Sequence, residues 1–198
     1  MGMISPGFDL EEMDMIFLNK SKTFLENRAQ ETPDKPFFLF HSAQAVHLPS
    51  FPSKDFKGKT NAGPHGDFIF EMDFVVGELM KKLKNHGMAD NTLVIFTSDN
   101  GGAGNNYKGH RPNGPLRGGK GCLTEGGHRV AFLARWPKRI KAGQVTKETV
   151  STTDMLATFA AIVGKGLPEG AGPDSYNVLP ALIGEKLPDP ERPVVLSS

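Results

Sequence analysis

Thr92-Leu93-Val94-Ile95-Phe96-Thr97-Ser98-Asp99-Asn100-Gly101-Gly102 is the stretch on which the fold is decided. Leu93 to Phe96 form an unbroken apolar run, which predicts a strand buried on both faces, as in a parallel sheet. Such a strand delivers Asp99 and Asn100 to its carboxyl end, where open α/β sheets build their sites. Gly101 and Gly102 allow a sharp turn or a close backbone approach immediately afterwards. Asp and Asn side chains, with no Cys or second His beside them, are hard oxygen donors that suit Ca²⁺ or Mg²⁺ rather than zinc. A strand ending in Asp-Asn-Gly is also the ordinary signature of an Asx turn, so both readings stand at this point.

Outward from this strand the chain alternates helices and strands. Phe68, Ile69, Met72, Val75, Val76, Leu79, Met80 and Leu83 make one stripe at helical spacing, predicting a helix opened by Asp67 and closed at Gly87. Leu10, Met13, Ile16, Phe17, Phe24 and Leu25 predict another amphipathic helix over about 9–30. Thr32-Pro33 ends it, and Phe37–Phe40 follow as a short apolar strand. Residues 129–135 read as a strand stopped by Trp136-Pro137. Asp154 caps a last helix over roughly 155–163, with Gly164 behind it. This order is that of an α/β domain on a mostly parallel sheet flanked by helices.

The chain of 198 residues suits one domain. Its 23 glycines and 15 prolines concentrate in 101–127 and 164–198, so the core falls at about 9–164, with a loop-rich segment over 165–198. Val194-Val195-Leu196-Ser197-Ser198 looks like an unfinished strand, and both ends look cut. A net charge of +1 without a basic block argues against nucleic acid as partner. No apolar run approaches the roughly 20 residues of a membrane helix, and the N-terminus lacks a signal-peptide pattern. The single Cys122 excludes an internal disulfide framework.

Gly114, Gly119 and Lys120 nearly spell a phosphate-binding P-loop, but Gly121 stands where Ser or Thr would hold Mg²⁺. The glycines at 121, 126 and 127 also argue against the long helix a P-loop opens. What survives is a lysine on a glycine-lined loop, suited to gripping a tetrahedral oxyanion, or else incidental to a surface loop. His47 lies beyond a strand end, where an imidazole can donate to an anion or protonate a leaving group, although a lone loop histidine is more often a plain surface residue. The remaining histidines give no metal spacing. Glu11, Glu12 and Asp14 read as the solvated face of the first helix, and Cys122 as an unactivated, at least partly buried thiol.

Pro36-Phe-Phe-Leu-Phe40, Val46-His47-Leu-Pro49, Gly63-Pro-His-Gly-Asp67, Asp90 to Gly101, Pro115-Leu-Arg-Gly-Gly-Lys120-Gly and Glu125-Gly-Gly-His-Arg-Val130 together resemble the sulfatase family. Arg135-Trp-Pro137, Val150 to Asp154 and Asp174 to Leu182 continue the match in order, closest to the arylsulfatases of the alkaline-phosphatase-like superfamily. The resemblance implies that Asp99 and Asn100 are metal ligands for Ca²⁺ or Mg²⁺. It implies that Lys120 and His47 contact the sulfate, with His47 assisting departure of the leaving group, and that Glu125 and Arg129 shape the loop. It further implies a sulfuric ester hydrolase acting on a sulfated small molecule or sulfated glycan. Full-length family members are mostly periplasmic, extracellular or lysosomal. Ala131, Ala157 and Ser175 depart from common family residues. More consequentially, the family nucleophile is a formylglycine made in a C/S-x-P-S-R motif, and neither that motif nor an Asp-Asp ligand pair is present. The expectation is therefore the middle-to-C-terminal portion of a sulfatase fold, incomplete at the N-terminal side and at the C-terminus, and inactive alone. The alternatives are a non-catalytic domain and a related phosphate or phosphonate ester hydrolase.

Overall fold

The apolar stripe after residue 67 is realised as part of a helix that starts earlier than expected, at Gly63. In the computed structural model, which describes residues 6–103 and 109–196, this helix runs Gly63–Asn85. It is the second helix, α2; the first, α1, spans Met13–Glu31. The chain divides into two units, residues 1–90 and 91–198. Pro64 in the first turn of α2 lacks an N–H that would be unsatisfied there anyway. Gly87 takes φ of 69° just past the end, as the sequence predicts. Asp67 does not open the helix. It is buried in the early turns, where its carboxylate accepts the amides of Gly58 and Thr60, both at 2.8 Å. Burial pushes that carboxyl up, yet these donors and the Thr60 hydroxyl outweigh it and hold it below the usual carboxylate range.

In the first unit α1 packs against α2. Phe68 and Val75 of α2, with Leu18 and Leu25 of α1, are fully buried. Lys22–Glu78 (2.8 Å) and Lys82–Glu26 (3.1 Å) tie the helices at their rim, weakly because both pairs stay partly solvated. The apolar run Phe37–Phe40 forms no strand here. Phe37 packs edge-on to Phe24 with ring centroids 6.0 Å apart, while Phe38 and Phe40 are 68% and 78% exposed. An apolar sequence becomes a strand only where another strand takes up its backbone groups.

In the second unit β1 (Val94–Thr97) pairs with β2 (Phe132–Arg135). The pairing is antiparallel, Val94 opposite Arg135 and Thr97 opposite Phe132. The expected mostly parallel sheet is thus represented, among the described residues, by one antiparallel pair. Each position of β1 is half-buried rather than buried on both faces. Trp136 closes β2 as expected, is buried, and carries the Arg139 guanidinium 5.0 Å above its ring. A single helical turn, α3 (Glu125–His128), precedes β2. Further on, α4 (Met155–Ile162) and the short α5 (Leu179–Leu182) build a small core of Val178, Ala181 and Leu187 against Val150 and Met155.

Asp154 stands at the start of α4, as the sequence predicts, but its carboxylate does not cap that helix. Its Oδ2 accepts the Ser151 amide at 2.8 Å and Nη2 of Arg192 at 2.6 Å, and its Oδ1 accepts the Tyr176 amide at 3.1 Å. Both members of this ion pair are buried. One buried carboxylate thus fastens the loop-rich segment 165–196 at both Tyr176 and Arg192.

Candidate functional site

β1 ends at Thr97 and releases Ser98, Asp99 and Asn100 into a turn in which the Ser98 hydroxyl donates to the Asn100 carbonyl at 3.0 Å. Asp99 is exposed and Asn100 half-buried, its amide donating to the Gly101 carbonyl at 3.0 Å. Backbone hydrogen bonds then stitch the following glycines to a distant segment. The Gly101 amide donates to the Gly127 carbonyl at 2.8 Å, and the Lys120 amide donates to the Gly102 carbonyl at 2.9 Å. Asn113 fastens the same place from the side. Its Oδ1 accepts the Gly102 amide at 2.8 Å, and its Nδ2 donates to the carbonyls of Gly102 at 3.2 Å and Gly118 at 2.9 Å.

The glycines are there because nothing else fits. A Cβ on Gly101 would stand 1.8 Å from the Gly126 carbonyl oxygen, and one on Gly127 would stand 1.9 Å from that of Cys122. The sequence reads Gly101 as a turn or a close approach and Gly127 as a helix-breaker; the structure shows both as close backbone contacts between two loop segments. Lys120 and the Asp99–Asn100 turn are thereby brought together on one glycine-packed layer. After Lys120 the chain enters no helix until Glu125, and that helix is a single turn, so the structure likewise offers no P-loop. Glu125 and Arg129 pair at 2.6 Å, both exposed, bracing that turn.

His47 belongs to the first unit and is exposed on a turn closed by its own amide donating to the Gln44 carbonyl at 2.8 Å. The turn hangs from Asp14 of α1, whose carboxylate accepts the amides of Gln44 at 2.7 Å and Ala45 at 2.9 Å. Asp14 is only 2% exposed, which corrects its reading as part of a solvated helix face; Glu11 and Glu12 are half-buried. Ser21, two turns further along the same face of α1, shares a 2.9 Å hydrogen bond with Nδ1 of His41. Burial lowers the His41 pKa, and the Asp14 charge opposes that only in part. Behind them lies Glu71, fully buried, its Oε2 accepting the Ser53 amide at 2.7 Å. Burial pushes the Glu71 carboxyl up against that hydrogen bond, and the Asp14 charge adds to the rise.

Other candidates resolve simply. Cys122 is exposed, not the partly buried thiol expected. Tyr107, which on the loop after Asn100 could contact substrate but reads more simply as solvated loop, lies outside the described residues. Ser50-Phe51-Pro52-Ser53-Lys54 comes within one residue of the C/S-x-P-S-R pattern, with lysine in place of arginine. There, however, the Ser50 hydroxyl is engaged with Nδ1 of His65 at 2.9 Å and Ser53 is buried against Glu71. That segment is a packed corner of the first unit. Among the described residues no three His, Cys, Asp or Glu side chains converge as a metal cluster. Asp99 and Asn100 offer hard oxygens of the kind Ca²⁺ or Mg²⁺ takes, but about two of the roughly six to eight a Ca²⁺ ion wants. The sequence reading missed Asp14 and Asn113. For Asp14 a signal existed, because it falls in register with Leu18, Ser21 and Leu25 on the buried face of α1.

Comparison with known proteins bears on this geometry. The sulfatase family model matches residues 5–165. N-acetylgalactosamine-6-O-sulfatase of Bacteroides thetaiotaomicron is 38% identical over 184 residues, covering 88% of this chain and 35% of that protein. Human N-acetylgalactosamine-6-sulfatase is 36% identical over 183 residues, covering 92% of this chain and 34% of its own length. A solved structure described as concerning the metabolism of multiple glycosaminoglycans by Bacteroides thetaiotaomicron superposes with a TM-score of 0.82. It is 36% identical, and the match covers 89% of this chain and 38% of that one. PsFucS1 sulfatase from Pseudoalteromonas sp. superposes with a TM-score of 0.75 at 33% identity, covering 88% of this chain and 35% of that one. The chain spans about a third of the length of the curated relatives it matches.

Proposed function

The chain belongs to the sulfatase family, and on that premise we propose that it forms part of a sulfuric ester hydrolase acting on a sulfated glycan. The names of the relatives favour a sulfated N-acetylgalactosamine unit as the substrate class. Lys120 holds the sulfate as a point charge, through the three N–H donors of its ammonium. His47 donates to the ester and returns a proton to the departing sugar oxygen. Asp99 and Asn100 hold one side of a divalent cation, Ca²⁺ or Mg²⁺. A divalent cation held there would supply Lewis-acid stabilisation of the charge on the sulfate ester. The residues of this chain supply no nucleophile, since residues 1–198 contain no C/S-x-P-S-R motif for formylglycine.

The observation that supports this reading is the 2.9 Å hydrogen bond from the Lys120 amide to Gly102, two residues beyond Asn100. It fastens the proposed sulfate grip to the proposed cation ligands without a long arm between them.

The test is a chimaera that joins this chain to the nucleophile-bearing segment of the Bacteroides relative. Hydrolysis of 6-sulfated N-acetylgalactosamine, lost in Asp99→Ala and Lys120→Ala, is expected; faster cleavage of the matching phosphate monoester would overturn the sulfate assignment. The 198-residue chain by itself is expected to leave an aryl sulfate intact and to bind Ca²⁺ weakly. Turnover by that chain, abolished by Asp99→Ala, would refute this.

A further inference from the structure

His47 sits on a turn with little regular structure around it. Residues 41–47 belong to no helix or strand. What fixes the turn is its link to α1. One carboxylate, 2% exposed, receives two successive amides at 2.7 and 2.9 Å, and the His47 amide then closes the turn onto Gln44. A buried carboxylate is costly unless its lone pairs are filled, so Asp14 holds these amides with charge-assisted bonds stronger than neutral ones. Its own helix is anchored in turn, with Leu18 and Leu25 fully buried in the same register. The upstream end of the segment is held independently by Ser21 on His41.

We infer that Asp14 is the positioning residue for His47: its carboxylate clamps the Gln44 and Ala45 amides and so sets the orientation in which the imidazole is presented. Asp14 acts through the backbone and touches no substrate. The inference rests on the assignment of His47 to the sulfate ester. A flexible histidine arm would spend much of its time out of reach, whereas a clamped one is pre-organised for proton transfer.

Asp14→Asn keeps the shape but turns one acceptor into a donor facing an amide N–H. In the full 198-residue chain, exchange of the Gln44 and Ala45 amides is expected to quicken about tenfold or more. The rotamer-dependent couplings of His47 should average, while the Leu18 and Leu25 amides keep their protection. Ser21→Ala, which frees only His41, should leave the His47 couplings as they are. Should Asp14→Asn also loosen α1, Asp14→Glu keeps the carboxylate on a longer arm and is expected to give intermediate protection at both amides. Unchanged exchange at Gln44 and Ala45, or unchanged His47 couplings despite faster exchange, overturns the inference. In the chimaera, Asp14→Asn is expected to lower kcat/KM about tenfold in the parent and to add nothing in a His47→Ala background. Equal losses in both backgrounds would show a merely structural role and also overturn it. If instead His47→Ala leaves hydrolysis unchanged, the assignment of His47 to the ester fails, and exchange and couplings still judge the clamp.

Discussion

Gly101→Ala is the most informative single change, because a Cβ there meets the shortest approach of any described glycine. The new Cβ would lie 1.8 Å from the Gly126 carbonyl oxygen and 2.8 Å from its carbon, where real contacts stay beyond 3.0 Å. The obstacle is backbone, so the two loop strands must part by roughly 1.2 Å in an interior that is otherwise close-packed. Parting them strains the surroundings, at about 1–3 kcal/mol. It also breaks the 2.8 Å bond from Gly101 to Gly127 and strands a buried donor, for roughly another 1–3 kcal/mol. The combined loss, about 2–6 kcal/mol, is a large part of the roughly 5–15 kcal/mol that a domain commonly has. Gly166→Ala in the same unit is the control, since its Cβ meets nothing within 4 Å. That change should stay within about 0.5 kcal/mol of the parent. Denaturant unfolding gives the midpoints, and amide exchange at Gly101 and Lys120 locates the damage. If Gly101→Ala unfolds with the control and keeps both amides protected, the account of a glycine-packed layer joining Asp99–Asn100 to Lys120 is wrong.

Three further outcomes follow from the same structure. Asn113→Asp keeps the acceptor for Gly102 but loses the donor to the Gly102 and Gly118 carbonyls, so it should cost about 1–3 kcal/mol and expose the Lys120 amide to exchange. Glu71 has a raised pKa in the folded chain; its contribution is complete below the unfolded value of about 4.5 and is lost as pH rises through the folded one. Glu71→Gln should therefore flatten the pH dependence of unfolding above about 4.5, and an unchanged slope in a pH series of melts would contradict the assignment. Arg192→Ala leaves the buried Asp154 carboxylate without its cation and should cost about 3–5 kcal/mol, whereas replacing both residues by apolar ones should cost less, as a double-mutant cycle of unfolding energies would show.

Much of the molecule is local enough to be legible from its residues in order. The stripe from Phe68 to Leu83 specifies α2 because an apolar face repeating every three to four residues fits one helical surface. Gly87 marks its end because that turn needs a positive φ. The apolar run into Asp99 and Asn100 specifies β1 and puts two oxygen-bearing side chains just past its end. The family-like order of motifs is likewise a property of the chain alone, and the family assignment agrees with it.

What only the tertiary structure decided concerns partners. β1 reads as a strand for a parallel sheet, yet it pairs antiparallel with β2, because a strand's pattern says how its faces are covered and not which neighbour takes its hydrogen bonds. Asp14 reads as solvated and is buried, because its partners lie 30 and 31 residues away on a turn that folds back over α1. Asn113 has no reading in the sequence and Gly126 and Gly127 read only as helix-breakers, and with Gly101 they prove to be a packed layer. Sequence by itself determined the periodic elements and the chemistry of the residues they carry, since both depend on near neighbours. Which of those residues meet, and which polar groups are held out of water, depended on loop closures across tens of residues that no local pattern encodes.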